Sequence, residues 1–254
     1  MKNLILRLIV IVSMINPLTF LYAQPPLKPL KKMVEHKEST ESHKEHENTK
    51  PSKEHHDGEE KEHSHKVSID ELLMGNENFR KDVRKNQNFD MQRQELSKGQ
   101  KPNFIVVACS DSRVAPELIF DSGLGEIFVV RTAGNVVDSV CLGSIEYAAE
   151  HLHSTYILVL GHTSCGAVTA AMQGETESAY INSIIKYIAP AANKAKSTKA
   201  SKEKMLMTAI QENVRNQIKY IRKSPIIQEL EHESQLTIIP AIYDIKDGTV
   251  EIIK

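Results

Sequence analysis

Apolar and polar positions divide the chain into three stretches with different rhythms. Lys2 and Arg7 precede an apolar run from Leu8 to Val12, which continues less cleanly to Tyr22-Ala23. Residues 24–66 have almost no apolar rhythm: Gln-Pro-Pro-Leu-Lys-Pro leads into a mixture of Glu, Lys, His and Ser. From residue 67 onward, periodic patterns take over. Ser68 and Glu71 stand at capping-box spacing, with Val67 and Leu72 placed for a hydrophobic staple. Leu72, Leu73, Asn76 and Phe79 follow at helical intervals, which predicts an amphipathic arm that lies against something. Gly99-Gln-Lys-Pro102 closes this lead-in.

Compact apolar runs then predict strands at 104–108, 126–130, 156–160 and 236–243, with a short final strand at 249–253 after the Asp247-Gly248 turn. Helical spacing covers Leu142–His151, with Ile145, Ala148, Ala149 and Leu152 on one side, and a short helix is expected from Gly166 to Met172. Residues 178–224 read as mostly helical. Pro190 must kink or break that stretch, because it lacks an N–H and clashes with the preceding turn. Strand alternating with helix predicts an α/β fold with a mainly parallel central β-sheet flanked by helices. No internal repeat is visible.

The 254 residues therefore divide into 1–23, 24–66 and a single folded module at 67–254, which is ample for one core. Residues 1–23 resemble a secretory signal peptide with cleavage near Ala23-Gln24, despite the large Leu21; a retained anchor is the alternative. Cleavage places the mature protein in the periplasm or outside the cell, with no stable membrane span, since no later segment is apolar enough for one. Residues 24–66 carry too few aliphatic side chains to offset the entropy of ordering, so a disordered linker is expected. Lys and Glu nearly cancel there, and the whole chain has a formal charge of −1. This excludes a nucleic-acid tail, whose affinity needs net positive charge. His36, His43, His46, His55, His56, His63 and His65 make the linker either a solubilising spacer or a weak zinc-capturing tail.

Candidate chemistry sits just past two of the predicted strands: Cys109-Ser-Asp111-Ser-Arg113 after the first and His162-Thr-Ser-Cys165-Gly166 after that at 156–160. Side chains beyond the carboxyl ends of parallel strands converge on the ligand crevice. Two thiols and an imidazole make a good zinc set, and three firm ligands leave a position for water, as catalytic zinc sites do. Asp111 has two readings: it takes the fourth position itself, or Arg113 holds it off the ion by a bidentate pair and its carboxylate accepts a proton. Cys141, the remaining cysteine of three, is expected to be a small buried apolar residue. His151, His153 and His232 read as surface or packing residues.

Cys-Ser-Asp-Ser-Arg-Val followed by His-x-x-Cys-Gly resembles the paired motif of the β-class carbonic anhydrases. Pro116–Asp121, Gly125–Asn135, Ser144–Ala148 and the stretch from Ala241 through Gly248 are similar to that family's intervening segments, so the likeness runs from about Leu72 to the C-terminus. The resemblance implies one Zn²⁺ per subunit bound by Cys109, His162 and Cys165. It makes Asp111 and Arg113 a dyad that either coordinates the ion, closing the site, or leaves it open. The implied activity is reversible hydration of CO2 to bicarbonate and a proton. Gly134, Asn135 and Tyr147 match positions near the pocket and the dimer contact. The implied assembly is a homodimer or a dimer of dimers, with the arm from Ser68 wrapping a neighbour. Pro240 departs from the family, which more often has a small flexible residue there. Two other functions are compatible with the same motifs: hydrolysis of carbonyl sulfide or carbon disulfide on this scaffold, and non-catalytic zinc or bicarbonate binding. A Cys-His nucleophilic hydrolase is disfavoured, because two thiols around one imidazole suit a metal better than acyl transfer.

Overall fold

The computed structural model describes residues 68–174 and 176–254, all within one compact unit. The leader and the linker expected at 1–66 lie outside the described residues. Helix α1 (Ile69–Arg80) begins at the capping box read from the sequence: the Ser68 hydroxyl accepts from the backbone, and the Glu71 carboxylate accepts from the Ser68 N–H at 3.3 Å. Helix α2 (Phe89–Leu96) buries none of its residues and is mostly polar, so no core-facing run marks it in advance.

A five-stranded sheet follows, formed by β1 (Phe104–Cys109), β2 (Ile127–Thr132), β3 (Tyr156–His162), β4 (Thr237–Tyr243) and β5 (Val250–Ile252) in the order β2-β1-β3-β4-β5. The first four strands are parallel, and β5 closes the edge antiparallel to β4. After β1 the chain moves out to β2, then crosses back to lay β3 on the other flank of β1. The carboxyl ends of β1 and β3 are therefore the point where strand order reverses, the usual place for a ligand in an open parallel sheet.

Both faces of the sheet are buried along its central strands β1 and β3. Ile105, Val107, Ile157 and Val159 share one cluster with Val214 and Ile188, whereas Phe104, Val106, Leu158 and Leu160 share another with Leu72 and Phe120. Double burial is why these strands read as continuous apolar runs rather than as alternation. Helix α3 (Pro116–Ile119) and α1 contribute to the second cluster. Helices α4 (Ser139–Glu146), α5 (Gly166–Gln173), α6 (Ala179–Ser197), α7 (Lys202–Ile221) and α8 (Pro225–His232) pack on the first. At Gly161 a Cβ would lie 2.7 Å from Val214 and 3.2 Å from Ile210, so the missing side chain lets α7 approach β3 closely.

Three local expectations need correction. Pro190 does not break the helix: α6 runs through it, with Ile185, Ile188, Ala191, Ala192 and Ala195 buried on either side, and this burial outweighs the one lost backbone bond. The helix expected to reach His151 ends its regular turn at Glu146 and widens over Tyr147–His151, where the Leu152 N–H bonds to Tyr147 O at 3.3 Å. Cys141 is half-buried rather than enclosed, packed against the edge of the first cluster. Pro240 sits inside β4 without harm to the β3–β4 ladder. Its carbonyl accepts from Ile253 N at 3.0 Å on the β5 side, so its missing N–H faces that edge and not β3.

Candidate metal centre

Cys109 is the last residue of β1 and His162 the last of β3; the pairing of Ala108 with Leu160 sets these two strand ends side by side. Cys165 caps the N-terminus of α5, three residues past His162. The ligand atoms of Cys109, His162 and Cys165 all lie within 4.8 Å of one another, and all three residues are buried. They form the one His/Cys/Asp/Glu group found among the described residues that could hold a metal ion.

The imidazole is oriented by its neighbours. Its Nδ1 lies 2.9 Å from Thr163 O, which fixes a proton on Nδ1, and it leaves Nε2 buried with no hydrogen-bond partner. Thr163 is itself held: its N–H donates to Tyr243 O at 3.0 Å and its hydroxyl accepts from Ile245 N at 3.0 Å. A fully buried acceptor without a donor is costly, and a cation is the natural partner for one flanked by two sulfurs. The two sulfurs shift each other in opposite directions. Hydrogen bonding from Cys165 pulls the Cys109 thiol down to about 4, against the effect of burial and with help from the Gly134 N–H at 3.2 Å. The contact with Cys109, and then burial, push Cys165 well above the ordinary thiol range. The donor set, two sulfurs and a nitrogen, fits zinc.

Asp111, expected either as a ligand or as a partner of Arg113, is found paired with Arg113. Arg113 donates from Nη2 to Oδ2 at 2.7 Å and from Nε to Oδ1 at 2.9 Å, and its backbone N–H adds a third bond at 3.0 Å. The guanidinium holds the carboxyl well below the usual carboxylate range. Arg113 also reaches Ser164 O at 3.5 Å, linking the loop after β1 to the one after β3.

Three functional positions were not singled out from the sequence. Arg131, near the end of β2, donates to Cys109 O at 3.0 Å and to Asp111 O at 2.8 Å, and so clamps the backbone that carries both side chains. The buried Asn213 and Gln217 of α7 hold the Gly134–Val137 turn beside Cys109. His151, His153 and His232 are exposed and distant in role, as expected of surface residues. The two largest depressions described, about 510 and 480 Å³, lie elsewhere; neither is lined by Cys109, Asp111, Arg113, His162 or Cys165.

Residues 104–250 match the family model for carbonic anhydrase. The chain belongs to the carbonic anhydrase family. Carbonic anhydrase 2 of Mycobacterium tuberculosis is 52% identical over 99 residues, covering 37% of this chain and 48% of that protein. The match thus spans about half the length of that relative. The carbonic anhydrase of Mycolicibacterium smegmatis is 39% identical over 165 residues, covering 63% of this chain and 79% of its own. Among solved structures, the β-carbonic anhydrase CafA of Aspergillus fumigatus superposes with a TM-score of 0.61 at 25% identity, covering 65% of this chain and 81% of that one. The α/β fold, with its mainly parallel central sheet flanked by helices, is that of β-class carbonic anhydrases.

Proposed function

We propose that this protein is a zinc-dependent carbonic anhydrase that interconverts carbon dioxide and water with bicarbonate and a proton. The observation that carries this reading is the buried His162 Nε2, unpartnered and grouped with two sulfurs beside an Asp–Arg pair. Cys109, His162 and Cys165 would hold a zinc ion, which supplies Lewis acidity and makes water a usable nucleophile near neutral pH.

The chain's own residues do the rest. His162 is kept in one tautomer by Thr163 O, so that Nε2 always faces the two sulfurs. Arg113 holds the Asp111 carboxylate by two parallel bonds, which keeps it ionised and turned to one orientation. That carboxylate receives the proton given up when water attacks carbon dioxide, and it passes the proton outward, since its side chain is still 16% exposed. Charge pairing keeps the carboxylate ionised and lowers its proton affinity, so it holds the proton only in passing and hands it on to solvent.

The leader-like residues 1–23 support an exported protein acting in the periplasm or outside the cell. The exposed Phe89 and Met91 on α2 support an arm that packs on a second copy, giving a homodimer or a dimer of dimers. No helix among the described residues is long and apolar enough to cross a membrane. The test is stopped-flow CO2 hydration on the purified full chain, with zinc measured in the same sample. Zinc-dependent hydration supports the reading. A zinc-loaded protein inert toward CO2 yet active on carbonyl sulfide or carbon disulfide would replace it with hydrolysis of those substrates, and one inert toward all three would leave a binding protein.

A further inference from the structure

Helix α7 carries two carboxamides on the face it turns to the sheet. Asn213 and Gln217 are 1% and 2% exposed, with apolar Ala209, Ile210, Val214 and Ile218 around them in the same buried stripe. Carboxamides in such a stripe cost stability unless every polar atom is used. Here they form a continuous relay. Gln217 Oε1 accepts from Val137 N at 2.9 Å, and Gln217 Nε2 donates to Asn213 Oδ1 at 3.0 Å. Asn213 Nδ2 then donates to Gly134 O at 2.9 Å and to Asn135 Oδ1 at 3.4 Å. Gly134, gripped through its carbonyl, sends its own N–H to Cys109 Sγ at 3.2 Å.

The turn between these bonds is not one the chain would hold unaided. Gly134 has φ +69° and Asn135 φ +47°. A Cβ at Gly134 would meet Ile188 Cδ1 at 2.6 Å and Ala167 Cβ at 3.0 Å. Packing therefore fixes where this residue sits, and the two carboxamides fix the peptides that follow it, so that the Gly134 dihedrals hold its N–H in one direction.

We propose that Asn213 and Gln217 are positioning residues for the Cys109 sulfur: they aim the Gly134 N–H at it and so set how strongly it donates to the metal. This rests on the zinc reading above. An N–H that bonds to a thiolate withdraws electron density from its lone pairs, and so stabilises the anion and moderates its bond to the ion. Losing that N–H leaves a more electron-rich sulfur, which moves its charge-transfer energy, and one free to turn from the metal position, a loss of orientation that outweighs its stronger donation and weakens binding. Outer-shell partners of this kind typically account for about 10- to 100-fold in metal affinity.

The readout is the sulfur-to-cobalt charge-transfer band of the full-length protein loaded with Co²⁺, with zinc affinity measured against a chromophoric chelator. Asn213→Asp keeps the size of the side chain but cannot donate to Gly134 O. Gln217→Glu keeps the acceptor for Val137 N and loses the donor. Each is expected to shift the band to longer wavelength and weaken zinc binding by about 10- to 100-fold. Glu212→Gln is the control on the same helix, since Glu212 pairs with Lys194 and Arg215 outside the relay. It should lower thermal stability and leave the band in place. If one relay variant fails to fold, the other supplies the measurement. A band unmoved in the folded relay variants, with only the melting temperature lowered, overturns the positioning role while the zinc site stands. Absence of any such band in the parent protein removes the metal centre itself, and the proposal with it. A parent band without CO2 hydration ends the catalytic reading alone.

Discussion

At the residue scale, each donor in the cluster has a separable job, so single substitutions should fail in different ways. Cys165→Ala removes a sulfur and also the contact that most lowers the Cys109 thiol's proton affinity. Zinc content and CO2 hydration are expected to collapse together, measured by metal analysis and stopped flow. Asp111→Asn leaves the three donors untouched; it should keep its zinc and still lose about 10²- to 10⁴-fold in hydration rate, the usual range for a positioned proton acceptor. Cys109, His162 and Cys165 were legible because sulfur and imidazole just past strand ends have few other uses. The role of Asp111 was not settled by its neighbour in sequence, since an Asp two residues from an Arg can point toward it or away. The structure shows Asp111 turned toward Arg113 in a bidentate pair. Arg131 was hidden because a charged residue closing an apolar strand looks like an ordinary strand end. Asn213 and Gln217 left a faint trace: two carboxamides at i, i+4 within the apolar stripe of a helix, where a surface role is ruled out once the stripe is drawn.

At the scale of elements, strands were easier to locate than helices. Burial on both faces leaves unbroken apolar runs such as Phe104–Ala108, while α2 and α3 bury too little or are too short to show a period. Helix α8 follows Ser224-Pro225, a cap and first-turn pair visible in the sequence, although the helical stretch read from the pattern stops at Ser224. The α6–α7 pair packs through its apolar faces and is joined at the surface by Glu212, which meets Lys194 at 2.7 Å and Arg215 at 3.1 Å. Arg215 in turn donates to the Lys254 carbonyl at 2.6 Å, tying down the C-terminus. Lys194 holds the Glu212 carboxyl below its ordinary value, so its folded pKa is lower than its unfolded one. Its contribution to stability is then present above the unfolded value of about 4.3 and is lost as pH falls through the folded one. Glu212→Gln should therefore lower the urea midpoint at neutral pH, and the gap from the parent should close on acidification. A gap constant from pH 7 to pH 3 would show that the substitution acts through something other than the charge of Glu212.

At the scale of the whole molecule, the module from residue 68 onward contains every donor the chemistry needs, which makes the histidine-rich stretch before it dispensable for metal binding at the site. Removing residues 24–66 is expected to leave the zinc-to-protein ratio unchanged; a fall in the ratio would make that stretch a metal store. The three donors come from two segments that β2 and α4 separate in the chain, and they meet only because β3 returns to pair with β1. A zinc ion would find all three donors together only once that pairing has formed, unlike in a zinc finger, whose metal organises the fold. Refolding from urea should run at one rate in chelator and in zinc, with activity recovering afterwards on addition of the metal. A cell that makes this protein in a zinc-poor medium would accumulate a folded reserve, switched on by the arrival of the metal with no new synthesis.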